Sequence, residues 1–420
     1  MPFHLRPLAT AAAVALTLAT SSAMAAGTAD ASLLAAARAA QPAVVQSLKE
    51  MVSIESGSTN AAGLAQMADY TGTRLQALGA QVERLPATKG PGTIIKGTFT
   101  GTGKRRIMLI AHMDTVYPAN TLATQPIREE GNRLYGPGIA DDKGGIAVIL
   151  HSLEILKGTG WRDYAQVTVL FNPDEEVGSV GSGEIISALA DQHDVVLSCE
   201  PTGAKAVMKT EAVLLGASGT ATATMEVKGR SAHAGAAPEL GRNALLELAH
   251  QLQQTRDVAK LVPGSQLNWT QATAGKVLNQ IPESAVAYGD VRFTANGTAE
   301  KLKVALQDKV NADRLIPDTQ VTVSLGESRP AFVADARGRA LARRAQEIYA
   351  ELEARQLTLM EGTGGGTDAG FAGRSGKAAV LESLGLAGFG FHARDEYIEL
   401  DSIVPRLYLM TRMLGEIARD

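Results

Sequence analysis

Two rhythms of apolar and polar positions alternate along this chain. Near-continuous apolar runs occur at Arg106-Ile107-Met108-Leu109-Ile110-Ala111, Gln166-Val167-Thr168-Val169-Leu170-Phe171, Val195-Val196-Leu197-Ser198-Cys199 and Ala378-Ala379-Val380-Leu381. Their length and β-branched content predict strands covered on both faces. Helical spacing takes over between them. Ala31 to Leu78 reads as helices, with Leu64, Met67, Tyr70 and Leu75 facing inward, and about Gly144 to Lys157 carries Ile146, Ile149, Leu150, Leu153 and Leu156 on one face. Gln81 to Leu85 and Thr93 to Thr98 read as short strands. The expected class is α/β, a mixed sheet sandwiched by helices.

The texture changes between about Ser218 and Gly326. Thr220 to Val227, Leu267 to Lys276, Ala285 to Thr294 and Thr319 to Leu325 read as strands, and Asn243 to Gln254 and Ala299 to Asp313 as helices. Strand-helix-strand-strand-helix-strand is the ferredoxin-like order. The expected organisation is a larger domain in two parts, 26–217 and 327–420, with an inserted α+β dimerisation or lid domain at 218–326. Alternation in Thr220 to Val227 suggests a sheet with one open face and an edge suited to dimer contact.

Composition narrows the setting. At 420 residues and net charge −4 the chain is long enough for two domains and lacks the basic surface that nucleic acid requires. Arg6, the apolar stretch Leu8 to Leu18 and the small-residue site Ala23-Met24-Ala25 read as a secretory signal over 1–25, so export, to the periplasm, is expected. No later stretch has the length and apolarity of a membrane span. The single cysteine, Cys199, allows no intrachain disulfide and reads as buried packing. Gly362 to Gly366 is not followed by Lys, which rejects a phosphate loop, and no Gly-x-Ser-x-Gly elbow occurs.

The chemistry gathers at predicted strand ends, where ligands bind in sheets of this class. His112 and Asp114 follow the first apolar run, Glu175 and Glu176 the second, Glu200 the third, and His392 lies in a loop after the fourth. Asp141 and Asp142 sit between a Gly-Pro-Gly turn and a Gly-Gly pair that opens a helix. Imidazole and carboxylate without thiolate suit zinc, and less well cobalt or manganese. The set exceeds what one tetrahedral ion with an open position takes, and five of its members suit two ions bridged by a shared Asp. A carboxylate that is no ligand would remain to take a proton from water. Blander readings stand beside these: the histidines as ordinary loop residues, Glu175-Glu176 as an acidic turn, Arg292 as a partner for a neighbouring acid.

The strings His112-Met113-Asp114-Thr115-Val116, Gly138-Ile139-Ala140-Asp141-Asp142-Lys143-Gly144-Gly145, Asp174-Glu175-Glu176, Ser231-Ala232-His233-Ala234-Gly235 and Gly362-Thr363-Gly364-Gly365-Gly366-Thr367-Asp368 resemble the M20 family of dinuclear zinc peptidases. Within that family the likeness is greatest to the glutamate carboxypeptidases that cleave folates. The resemblance implies a zinc-exopeptidase-like fold, two zinc ions and a homodimer formed through the inserted domain. It implies that Asp141 bridges the ions, with His112 and Glu200 on one and Glu176 and His392 on the other. Glu175 would be the general base, Asp114 would hold the His112 ring, and His233 would reach a partner's active site to stabilise an oxyanion. Asn279, Arg292 and Arg329 would bind substrate, Arg292 through its fork to a carboxylate.

One departure bears on specificity. Where folate-cleaving members place a Lys and a Ser against the substrate glutamate, this chain has Ala212 and Leu214. The pocket so changed favours an uncharged side chain. The expected activity is removal of a C-terminal amino acid from an N-acyl amino acid or short peptide. An N-acyl amino-acid deacylase or dipeptidase is the nearest alternative, and a non-catalytic periplasmic binding protein is the alternative from another class.

Overall fold

The structure, a computed structural model, describes residues 27–353 and 355–420. The segment read as a signal, 1–25, lies outside them. A six-stranded sheet organises the larger part of the molecule. Its strand order is Gln81–Pro86, Thr93–Thr100, Gln166–Asn172, Arg106–His112, Val195–Ser198, Ala379–Leu381. The last four run parallel, and the first two join antiparallel at one edge. Every residue from Ile107 to His112 is buried, so both faces are covered, which is what an unbroken apolar run requires.

The helices follow their apolar spacing. Lys143–Gly158 buries Ile146, Ile149, Leu150, Leu153 and Leu156, each contributing roughly 1.5–3 kcal/mol. Helices Ala31–Val52 and Ile403–Arg419 pack against it. Asp142 caps its start, its Oδ1 accepting the N–H of Gly145 at 3.1 Å. The Gly-Gly pair is needed there. A Cβ on Gly145 would lie 2.2 Å from that same oxygen and 2.2 Å from the Cys199 carbonyl oxygen. The close approach locks the helix start to the end of the Val195–Ser198 strand.

A second sheet of five very short strands, Arg128–Glu130, Arg133–Tyr135, Tyr397–Glu399, Ala387–Phe389 and Thr202–Gly203, has no counterpart in the sequence reading. Strands of two or three residues carry no readable period. This sheet holds the segment with His392 beside the one with Asp141.

Residues from Gly219 onward build a separate four-stranded antiparallel sheet in the order Ser265–Ala274, Ser284–Phe293, Gly219–Lys228, Gln320–Arg329. Helices Ala244–Thr255 and Thr298–Ala312 cover one face over a core that includes Met225, Leu248, Phe293 and Leu302. Gly219–Lys228 alternates buried and more open residues, yet it lies inside the sheet rather than at its edge. The last strand runs to Arg329, beyond the Gly326 read as the limit of this unit. A bulge beside Thr220 lets it stay paired that far.

Candidate metal centre

His112 ends its strand, and Asp114 lies just beyond it. The His112 Nδ1 faces the Asp114 carbonyl oxygen at 3.0 Å and its Oδ1 at 3.3 Å, so Nδ1 carries a hydrogen and the Nε2 lone pair points outward. That Nε2 lies 3.0 Å from Asp141 Oδ1 and 3.7 Å from Glu200 Oε1. On the other side of Asp141, His392 Nε2 lies 3.3 Å from its Oδ2 and 3.0 Å from Glu176 Oε2. Two groups result, His112–Asp141–Glu200 and Asp141–Glu176–His392, each with donor atoms within 4.8 Å of one another. Both contain Asp141, one through each oxygen.

Each donor is held by its own element. Asp114 accepts the N–H groups of Glu175 and Glu176 at 3.0 and 3.1 Å and the Ser58 hydroxyl at 2.8 Å, tying the second strand end to the first. Asp174 accepts the N–H groups of Gly181 and Ser182, closing the loop behind Glu175. The Asp141–Asp142 peptide is cis. His392 sits at φ 58, a left-handed conformation uncommon for a side-chain-bearing residue. Asp142 turns away from the centre, its Oδ2 accepting the His112 N–H at 3.2 Å.

The electrostatics call for positive charge. Burial opposes a charged His112, but Glu200, Asp114 and Asp141 raise its basicity well above the ordinary range. Hydrogen bonds to Asp141 and Glu176 push His392 up to about 10. Burial raises Asp141, and the bonds to His112 and His392 more than reverse it, leaving its carboxyl lowered. Burial drives Glu200 well above the usual carboxylate range. Carboxylates this crowded take up protons on their imidazole neighbours unless cations replace them. The residues therefore fit divalent ions: nitrogen and oxygen donors, no sulfur, and two positions joined by one carboxylate.

Glu175 belongs to neither group. It is buried, its Oε1 lies 2.6 Å from Arg329 Nη1, and the Arg329 guanidinium also donates to its backbone carbonyl. Burial pushes its carboxyl up to about 8 against the pull of that arginine.

The match to known proteins fits this geometry. Peptidase family M20/M25/M40 matches residues 108–416. The chain belongs to that family. It is 43% identical over 387 residues to carboxypeptidase G2 of Pseudomonas sp. (strain RS-16), covering 91% of each. Succinyl-diaminopimelate desuccinylase of Gluconobacter oxydans is 31% identical over 331 residues, 74% of this chain and 81% of that protein. The M20 family metallo-carboxypeptidase Sso-CP2 of Sulfolobus solfataricus shares the fold, with a TM-score of 0.72 at 16% identity over 90% of this chain and 99% of that one. As an M20 protein this chain is a metallo-hydrolase of the carboxypeptidase and amidohydrolase type. A non-catalytic binding protein finds no support.

The remaining M20 site candidates lie apart. His233 is exposed, its Nδ1 accepting the N–H groups of Gly235 and Ala236 at 3.2 and 3.0 Å, which leaves the hydrogen on Nε2 facing outward. The carbonyl of Asn279 accepts the Ala234 N–H at 2.9 Å, holding it beside His233. Arg292 is forked onto Asp290 of its own strand at 3.0 and 3.1 Å, the blander of its two readings. Among the described residues of one chain none of these three touches the metal centre, whereas Arg329 holds Glu175 beside it. Ala212 is buried, its carbonyl accepting from Arg406, and Leu214 is half-buried in the same short strand. Sequence reasoning missed Glu396 and Tyr117, and gave no role to Asp368 at the end of the Gly362 string. Asp368 accepts from Asn172 at 2.8 Å and from Ser179, bracing the loop of Glu175.

Proposed function

We propose that this M20 hydrolase is a dizinc exopeptidase that releases a C-terminal amino acid from an N-acyl amino acid or short peptide, working after export to the periplasm as a homodimer. The single observation that carries the reading is the Asp141 carboxylate shared between two His-and-Glu groups. Cobalt or manganese would satisfy the same donors less well. Two bound ions would supply Lewis-acid polarisation of the scissile carbonyl and an acidified water.

The chain's own residues do the rest. Asp141, His112 and Glu200 hold one ion; Asp141, Glu176 and His392 hold the other. Glu175, held by Arg329 and free of both groups, takes the proton from water on its carboxylate and returns it to the leaving amine. Asp114 keeps the His112 hydrogen on Nδ1, so Nε2 faces the ion. His233 presents an N–H at the surface of the smaller sheet's unit, where it would complete the site of a second subunit as an oxyanion donor. Leu278, fully exposed, and Leu240, Leu245 and Leu246 lie on that unit, an apolar surface suited to a partner. Asn279 would join that site beside His233, and Arg292, across Thr220 from Arg329 at the other end of the sheet, would pair with a substrate carboxylate.

Carboxypeptidase G2, 43% identical over 91% of both chains, against 31% for the desuccinylase, favours carboxypeptidase action over deacylation. The absence of a cation at Ala212 and Leu214 favours an uncharged side chain on the released residue, glutamate being the alternative. Purified enzyme with measured zinc content, assayed by release-product analysis on N-blocked dipeptides and N-acyl amino acids, tests this. Chelator-sensitive release of neutral C-terminal residues is expected. No turnover across the panel at full metal content defeats the proposal, and release of free acid only from small acyl groups assigns a deacylase.

A further inference from the structure

One buried carboxylate outside both donor groups joins the loops that carry them. Glu396 is 1% exposed. Its Oε1 accepts the N–H groups of Ala140 at 2.8 Å and Asp141 at 3.0 Å; its Oε2 accepts the N–H of Gly138 at 2.9 Å and the Tyr117 hydroxyl at 2.8 Å. Its own backbone carbonyl accepts the Gly136 N–H at 3.1 Å. The loop 136–141 is thus wrapped around a single side chain, with Gly138 at φ 69 turning its N–H inward. Backbone N–H groups converging on one carboxylate in this way form a nest.

The same residue lies four positions after His392. Tyr117, in the loop beyond His112 and Asp114, comes within 2.8 Å of the Ala393 carbonyl oxygen as well. Glu396 therefore fixes the distance between Asp141 and His392, which belong to segments far apart in sequence. The two histidines of the centre are held unequally. His112 is buried at the end of a central strand, with Asp114 behind its ring and buried Glu200 beside it. His392 is exposed, has a left-handed backbone and, among the described residues, has no carboxylate paired with its Nδ1.

We propose that Glu396 is a positioning residue of the metal centre: through the N–H groups of Gly138, Ala140 and Asp141 and the hydroxyl of Tyr117 it holds Asp141 against His392, and its loss frees the ion between Glu176 and His392 first. The inference rests on the two-ion reading above. Glu396→Gln keeps the shape but offers one carbonyl oxygen, and its amide NH₂ must then face an N–H donor.

The test is a zinc titration of the purified full chain in buffers of fixed free zinc, with zinc per chain read by mass spectrometry. Wild type is expected to hold two ions. Glu396→Gln is expected to need about 10- to 100-fold more free zinc for its weaker ion, with the tighter ion changed far less. Added to His392→Ala, the same substitution is expected to have a less than additive effect on zinc affinity. Tyr117→Phe, which removes one of the four contacts and is the gentler change should Glu396→Gln fold poorly, is expected to shift the weaker ion in the same direction by less. A wild-type zinc curve in both single variants, even with a lowered melting temperature of the zinc-free protein, overturns the inference; so does full additivity with His392→Ala. If wild type holds one ion per chain, the two-ion reading fails, and an unchanged affinity for that one ion in Glu396→Gln overturns this inference separately.

Discussion

Glu175 shows how a residue's task follows from what surrounds it. It follows Asp174 and precedes Glu176, yet these neighbours differ in partners: Asp174 closes its loop, Glu176 faces His392, and Glu175 faces Arg329. Replacing Glu175 by Gln preserves shape and removes the proton acceptor. Turnover is expected to fall by about 10²- to 10⁴-fold while zinc per chain stays unchanged, as read by steady-state kinetics and metal analysis on the same preparation. Loss of zinc would make the residue a ligand instead. Positions such as His112, Glu176 and Glu200 were legible in the sequence because apolar strands announce their own ends, and acids and imidazoles standing there need a purpose. Glu396 was not, because its partners are three backbone N–H groups and the Tyr117 hydroxyl, the last of them 279 residues away.

At the scale of elements, the helix Lys143–Gly158 gives two predictions. Its first turn is pressed against the Cys199 carbonyl, so Gly145→Ala is expected to destabilise the protein by more than about 2 kcal/mol, within the range for overpacking. At its last residue Gly158 meets nothing within 4 Å, and Gly158→Ala is expected to be neutral or to stabilise by up to about 1 kcal/mol. Urea midpoints of the two variants compare them directly.

Farther along the same helix, Glu154 binds Arg74 at 2.6 Å and His151 at 2.7 Å. Burial raises its carboxyl, and those two bonds more than reverse the effect, bringing it down to about 2. A depressed carboxyl contributes stability above its unfolded value of 4.5 and loses it as pH falls toward about 2. Glu154→Gln is therefore expected to destabilise at pH 7 by less than about 1 kcal/mol, since the side chain is 38% exposed. The gap from wild type should close between about pH 4.5 and 2 in denaturant titrations. The long elements could be read from periodicity, whereas the five short strands that seat His392 could not, since pairing with distant segments creates them.

For the whole molecule, the order of strands and helices in 219–329 was legible because alternation and helical spacing hold through each segment. What it touches was not, since surface complementarity leaves no period. If His233 completes a partner's site, mixing Glu175→Gln and His233→Ala proteins after subunit exchange should restore activity. Half of the dimers would be mixed and each would keep one intact site, giving about a quarter of wild-type turnover. Continued inactivity in a sample shown by sedimentation to be dimeric would place the histidine outside the reaction.

The strand Gln320–Arg329 begins in the outer sheet and finishes with its guanidinium on the base. A tilt of that sheet would be carried along the strand to the Glu175 carboxylate. A substrate that moved the outer sheet would therefore move the Glu175 carboxylate as well, through a strand of ten residues.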